Sequence, residues 1–241
     1  MILITRPRKN SLEFQKKLEK LKINSGIQEL SKFKILKRQV NLSNCIILIT
    51  SPRSLDYLIK TKTIENCKQN AFLVIGKKTT SRLKQLGCKN ILISAKDSVE
   101  LIKKSKSILG ERSNVCFLCS NVYNKELVRL FKKMKCRITL VKVYNTIKVK
   151  KLNKSVTRNL REGKFSTVVF FSKFSFKVFF ELCKLENISR SCLKKIQYIC
   201  VSQRVGEFAA KRGYSVHYSS NPSEQSIYEL IKKLKLRINI I

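Results

Sequence analysis

Two parallel-sheet α/β units, each covered by helices, are the fold this chain predicts. Three observations carry it: short β-branched runs alternate with longer amphipathic stretches, part of the chain repeats, and the repeat is staggered against the chain ends. The first run, ILIT (2–5), leads into a helical stretch from about Ser11 to Lys22. There Leu12, Phe14, Leu18 and Leu21 form a mostly one-sided apolar set, and Ser11 is placed to cap it. CIILIT (45–50) precedes PRSLDYLIK, and AFLVIG (71–76) precedes a helix over KKTTSRLKQL that Gly87 stops. NILIS (90–94) precedes a helix from about Ser98 with Asp97 or Ser98 as cap, and VCFLC (115–119) precedes KELVRLFKKMK. RITLVKVY (137–144) ends this half; TVVFFS (167–172), QYICVS (197–202) and SVHYS (215–219) follow, each with helical periodicity behind it. Such βα alternation argues for parallel sheets covered by helices.

The repeat sets LITSPRSL (48–55) against VFFSKFSF (169–176), with Ser51 over Ser172 and Ser54 over Ser175. Residues 74–104 match 200–233, with Gly76 over Ser202 and Gly87 over Gly213; a fainter pairing sets ILITR (2–6) against FLCSN (117–121). The first strand and helix precede the middle copy, so one domain is built from both chain ends. The expected boundaries are 1–34 plus 148–241 for that domain and 37–142 for the inserted one. Residues 35–36 and 143–147 are expected as connector strands, pairing within the strand-like SKFKI (31–35) and KVYNTIKV (142–149) segments.

Composition limits the function. The 52 Lys+Arg against 15 Asp+Glu leave a net charge of +37, which raises a nucleic-acid reading. The basic residues are spread through every predicted helix and turn, however, and no zinc-finger spacing, RNA-recognition aromatic motif or heptad run accompanies them. An acidic small-molecule substrate suits the same field. Apolar runs have strand length, far short of the roughly 20 residues of a membrane span, and the N-terminus turns from apolar to basic, the reverse of a secretory signal. A cytoplasmic protein is the expectation. Nine cysteines read as reduced core thiols: only Cys116 and Cys119 have CxxC spacing, and on a strand residues three apart face opposite ways. A lone His217 leaves no zinc set, and no phosphate-binding glycine loop follows a strand, so neither metal nor nucleotide cofactor is expected.

An ordered series of short motifs then resembles one family, the uroporphyrinogen-III synthases. Thr5-Arg6-Pro7 ends the first strand, and Thr50-Ser51-Pro52-Arg53-Ser54 ends a second and opens a helix. Ile75-Gly76-Lys77-Lys78-Thr79 forms a Gly-x-x-Thr turn, Val143-Tyr144-Asn145-Thr146 ends a further strand, and Phe171-Ser172 repeats the Ser turn. The series covers nearly the whole chain in order. There are departures: Ser202 and Val205 stand at the glycine and threonine of the second copy's turn, Phe174 and Phe176 make its Ser turn apolar, and Ser120-Asn121 replaces a common glycine after the VCFLC strand.

The resemblance implies two flavodoxin-like domains joined by a two-stranded connector, with the substrate in the cleft between them. It implies a cofactor-free, monomeric enzyme of tetrapyrrole biosynthesis. The reaction is dehydrating cyclisation of hydroxymethylbilane to uroporphyrinogen III with inversion of the terminal pyrrole, the substrate reaching it through transient contact with hydroxymethylbilane synthase. Tyr144 is the expected catalytic acid, and Arg6, Ser51, Gly76, Thr79, Ser172 and Ser202, all at carboxyl ends of strands, are the expected substrate contacts. Without the resemblance, Tyr144 on its strand reads first as a half-buried packing residue, Ser51 and Ser172 as helix caps, Thr79 as a first-turn structural residue, and Arg6 as a solvated cation. The rival functions are a two-lobed binding protein for an acidic small molecule and a basic nucleic-acid-binding protein.

Overall fold

The computed structural model describes residues 1–219 and 221–238. In chain order it begins β1 (Ile2–Ile4), α1 (Arg8–Glu19), β2 (Ser25–Ile27), β3 (Ser31–Ile35), β4 (Ile46–Ile49), α2 (Pro52–Lys60), α3 (Ile64–Cys67) and β5 (Phe72–Ile75). It continues with α4 (Lys77–Gln85), β6 (Ile91–Ala95), α5 (Ser98–Ile108), β7 (Asn114–Ser120), α6 (Lys125–Lys133) and β8 (Arg137–Lys148). The last third holds α7 (Lys154–Arg161), β9 (Thr167–Phe170), α8 (Lys173–Leu185), α9 (Arg190–Lys194), β10 (Gln197–Cys200), α10 (Gln203–Ala210), β11 (Val216–Tyr218) and α11 (Glu224–Ile238).

The chain divides into two compact units, Met1–Lys32 with Ile147–Ile241 and Phe33–Thr146. The first, here unit 1, holds a sheet in the order β11-β10-β9-β1-β2, every pair parallel. The second, unit 2, carries β6-β5-β4-β7-β8-β3, parallel from β6 to β8. Setting β4 on β9 and β5 on β10, as the repeat requires, carries β6 onto β11, β7 onto β1 and β8 onto β2. The two sheets therefore have the same spatial order with permuted connections. In unit 1, numbered by its own strands, that order is 2-1-3-4-5, the flavodoxin-like arrangement.

One local expectation differs from the structure. Helix α1 begins at Arg8 behind Pro7, and Ser11 lies inside it, buried, with its hydroxyl donating to the Arg6 carbonyl at 2.8 Å. Proline pre-sets the entry dihedral, so no serine cap is needed. The two connector segments pair with each other, as expected. β8 is one strand of 12 residues whose first part pairs with β7, while β3 is the edge strand of the same sheet. The backbone bonds Leu36 N–H to Val143 O and Val149 N–H to Leu30 O run in opposite senses along the two segments, as antiparallel pairing requires.

The unit cores differ in chemistry. Beneath α8 and α10, Phe170, Phe176, Phe179 and Tyr198 interlock, with Phe170–Phe176 centroids at 5.0 Å. The matching face of unit 2 is mostly aliphatic and thiol-rich, with Ile47, Ile49, Leu55, Cys45, Cys67, Cys88 and Cys116 around two fully buried rings, Tyr57 and Phe72. Cys119 packs on the other face of its sheet, opposite to Cys116, as strand alternation demands. Burial pushes Cys45, Cys67, Cys183 and Cys200 up to about 12, so these thiols are neutral and poor nucleophiles at pH 7.

Candidate active site

In a doubly wound sheet the helices that follow strands start at the strands' carboxyl ends, and their first N–H groups point at whatever binds there. Four such helices are capped by their own N-cap side chains. Ser51 accepts from Arg53 N–H at 3.2 Å, Asp97 from Val99 and Glu100, Asn124 from Leu127, and Ser172 from Ser175 N–H at 3.0 Å. Four others make no side-chain capping bond: Pro7 before α1, Asn153 before α7, Gly76 before α4, which has no side chain to offer, and Ser202 before α10. Gly76 and Ser202 occupy matching positions of the repeat. Anions are stabilised at such helix starts by oriented N–H groups and the helix dipole.

Around Gly76 the turn is polar and tightly built. Its φ of 101° and ψ of 122° are accessible to glycine alone, and its N–H donates to Ala95 O at 2.8 Å. The Thr80 hydroxyl shares a 2.8 Å hydrogen bond with Ser94, which ties the turn to β6. Thr79 is only 3% exposed, and a methyl group placed on Gly76 would lie 3.8 Å from its Oγ1. The Thr79 hydroxyl therefore faces the same turn as the helix start. In unit 1 the matching residues are Val205, buried, and Gly206, where a Cβ would come within 2.6 Å of Tyr218 Cδ1. No hydroxyl stands at either threonine position here, although Ser202 keeps one at the helix start.

Tyr144 lies on β8 with Ser120 of β7 as its register partner. It is 7% exposed and packs edge-on against Phe33 at 6.2 Å. Its phenol has no hydrogen-bond partner among the described residues, yet it is absent from their fully sealed unpartnered atoms, so the hydroxyl reaches the surface. The Arg53 guanidinium stands 4.8 Å over the same Phe33 ring. Asp56 takes both Arg53, at 3.4 Å, and Arg82, at 2.7 Å, so two arginines beside the Ser51 and Gly76 turns share one carboxylate.

Arg6 is not a free cation. Its guanidinium sits 4.1 Å over Phe171 and pairs with Glu224, which also accepts from Lys17 at 2.7 Å. Burial would raise the Glu224 carboxyl, but Lys17 and Arg6 outweigh it and hold it below the usual carboxylate range. A substrate carboxylate reaching Arg6 has to compete with Glu224. Thr5 is buried, with its hydroxyl donating to Val169 O, and Ser54 likewise donates to Leu118 O at 2.6 Å; both bond a neighbouring strand.

The structure thus places Arg6, Ser172 and Ser202 at the carboxyl edge of unit 1, and Ser51, Gly76 and Thr79 at that of unit 2, where Tyr144 rides on β8. Glu224 and Asp56 were missed from sequence, because an ion pair between residues 218 apart has no local signature. Among the described residues no group of three or more His, Cys, Asp or Glu is placed to hold a metal, and no helix is long and apolar enough to cross a membrane.

Comparison with known proteins bears on this site. No curated protein sequence matches the chain. The chain is similar in fold to the uroporphyrinogen-III synthetase of Helicobacter pylori, with a TM-score of 0.66 at 15% identity over 97% of this chain and 98% of that one. A mutant uroporphyrinogen III synthase of the extremely thermophilic bacterium Thermus thermophilus gives 0.65 at 13% identity, over 98% and 99%. The family model described as uroporphyrinogen-III synthase HemD matches residues 21–229. With that match spanning both units, the chain belongs to the uroporphyrinogen-III synthase family, the lyases that cyclise hydroxymethylbilane in haem biosynthesis.

Proposed function

We propose that Tyr144 is the proton donor of this cyclisation and that the starts of α4 and α10 hold substrate carboxylates. The observation that carries the binding half is the matched pair of helix starts left uncapped at Gly76 and Ser202. Hydroxymethylbilane bears eight carboxylates, and dispersed oriented N–H donors suit such a ligand better than a single cation does. Thr79 adds a hydroxyl to the Gly76 turn, Ser51 and Ser172 orient the neighbouring turns as caps, and Arg6 engages a carboxylate in exchange with Glu224.

The chemistry asks little else of the protein. A proton from the Tyr144 phenol goes to the terminal hydroxyl, which leaves as water; the adjoining pyrrole N–H returns a proton to the phenolate, and the bilane becomes an electrophilic azafulvene. The substituted carbon of the last ring attacks it; the resulting spiro intermediate breaks and recloses with that ring inverted. Holding a flexible chain in this conformer is an orientation effect, and no metal or nucleotide takes part. In the same reading the enzyme is a cytoplasmic monomer that receives its substrate in transient contact with hydroxymethylbilane synthase, and its free cysteines fit a reducing compartment.

Tyr144→Phe tests the donor role. It should slow enzymatic closure by about 10²-fold, the low end for general acid catalysis, because the substrate ionises readily by itself. Spontaneous closure then competes and isomer I rises against isomer III. Wild-type kinetics and isomer ratio in Tyr144→Phe would make the tyrosine a packing partner of Phe33 and nothing more.

A further inference from the structure

The helix pair α8/α10 of unit 1 differs from its repeat partner α2/α4 in a way that cyclisation does not use. In unit 2 the pair is bridged by Asp56 and Arg82 at 2.7 Å. Aligned through Ser51 over Ser172 and Gly76 over Ser202, the same two positions in unit 1 are Lys177 and Phe208, and the Lys177 ammonium lies 5.5 Å from the Phe208 ring centroid. A carboxylate has become a cation and a cation has become a ring. Arg212 also stacks on Phe208 at 3.8 Å, and Lys173 lies 5.3 Å from it. Burial, then the nearby Arg204, lower the Lys173 ammonium.

A groove of about 600 Å³ opens beside this ring. Its floor is aromatic: Phe180 lies 4.6 Å from Tyr214 and 4.5 Å from Phe176, both pairs at about 35°. Its rim carries Lys177, Lys184, Arg190 and Arg212, none of them in a salt bridge among the described residues, while the one rim carboxylate, Glu181, is taken by Lys148 at 3.0 Å. The Tyr214 hydroxyl has no hydrogen-bond partner there, in contrast to Tyr198, which donates to Leu193 O at 2.8 Å. The groove lies away from the catalytic edge. Helix α8 runs back from the carboxyl end of β9, so Lys184 near its end and Arg212 and Tyr214 ahead of β11 sit toward the amino edge of the sheet.

We infer that this groove is a second ligand site, for a flat aromatic molecule carrying several acidic groups. The rings supply stacking, and the rim cations, none of them in a salt bridge among the described residues, supply attraction that isolated core aromatics lack. A nucleoside triphosphate and an aromatic porphyrin polycarboxylate both have this chemistry.

Calorimetric titration of the full chain with uroporphyrin I, with ATP and with inorganic tripolyphosphate tests the site and separates the sources. At least one of the two ring-bearing anions should bind, at least tenfold more tightly than tripolyphosphate, and whichever binds is the source. Lys177→Glu combined with Arg190→Glu should weaken that binding about tenfold while isomer III formation stays at the wild-type rate. Lys184→Glu, at another exposed rim position, should weaken it by a smaller factor and serves if the double variant fails to fold. Thr79→Ala should leave it unchanged, which separates it from the catalytic edge. Failure of both ring-bearing anions to bind, equal affinity for tripolyphosphate, or full affinity in the folded rim variants would overturn the site and leave the cyclase assignment untouched.

Discussion

The two units have the same strand order but settle the same positions with different chemistry. In unit 2 the turn after β5 is polar, with Gly76, Thr79 and the Thr80–Ser94 bond, and its two arginines share Asp56. In unit 1 the turn after β10 keeps Ser202 but has Val205 and Gly206, close to Tyr218, where unit 2 has its two threonines, and the core below it is a stack of aromatic rings. What both retain is the backbone arrangement: a strand that stops short, an uncapped helix start, and a capped neighbour at Ser51 or Ser172. The difference teaches that main-chain donors can be kept while the side chains around them are exchanged, so recognition by N–H groups tolerates far more sequence change than recognition by side chains does.

That contrast can be broken at matched positions. The largest effect is expected in the aromatic core of unit 1. Phe176→Ala should cost about 3–5 kcal/mol in denaturant unfolding. Its match Leu55→Ala should cost about 2–5 kcal/mol, the lower part being expected because aliphatic neighbours relax more easily than interlocked rings. Equal costs would mean that the rings add nothing beyond volume.

Next come the turns. Gly206→Ala drives a methyl group into Tyr218 and should cost about 1–3 kcal/mol, while Thr80→Ala in unit 2 loses one hydrogen bond and should cost about 0.5–1.5 kcal/mol. Thr79→Ala should raise KM about three- to tenfold with kcat nearly kept, because a contact to a remote carboxylate is present in ground and transition states alike. Val205→Ala should leave KM unchanged. A KM effect at Val205 as large as that at Thr79 would remove the distinction between the two turns.

The smallest effect concerns Glu224. Its folded carboxyl is held below its unfolded value of about 4.3, so its contribution is present above that pH and is lost as pH falls through the folded value. Glu224→Gln should lower stability at pH 7 by about 0.5–1 kcal/mol and flatten the acid limb of the stability profile. An unchanged acid limb would show the Arg6–Glu224–Lys17 cluster to be energetically idle.

How far these differences are legible in the sequence depends on their range. Strand and helix positions follow from local periodicity, and the shared spatial order follows from the repeat, since similar segments build similar units. β8 runs unbroken from Arg137 to Lys148, but its alternation lapses at Val143 and Tyr144, both buried, where the register with β7 shifts, so periodicity gives only its first part. Helix α7 carried only Val156 and Leu160 as a buried pair, too short a pattern to stand out among lysines. At the site, Gly76 was legible because a turn into a helix calls for glycine. The Glu224 lock on Arg6 and the Asp56 bridge were not, because each joins residues that only the fold brings together.

The central claim is that so altered a chain still directs ring inversion, with threonines in one turn and none in its match. Supplying hydroxymethylbilane to the purified, exhaustively chelated protein without added nucleotide, and resolving uroporphyrinogen isomers I and III, tests it most directly. Isomer III is predicted to dominate, at a rate above spontaneous closure. Isomer I alone, at the spontaneous rate, would contradict the account.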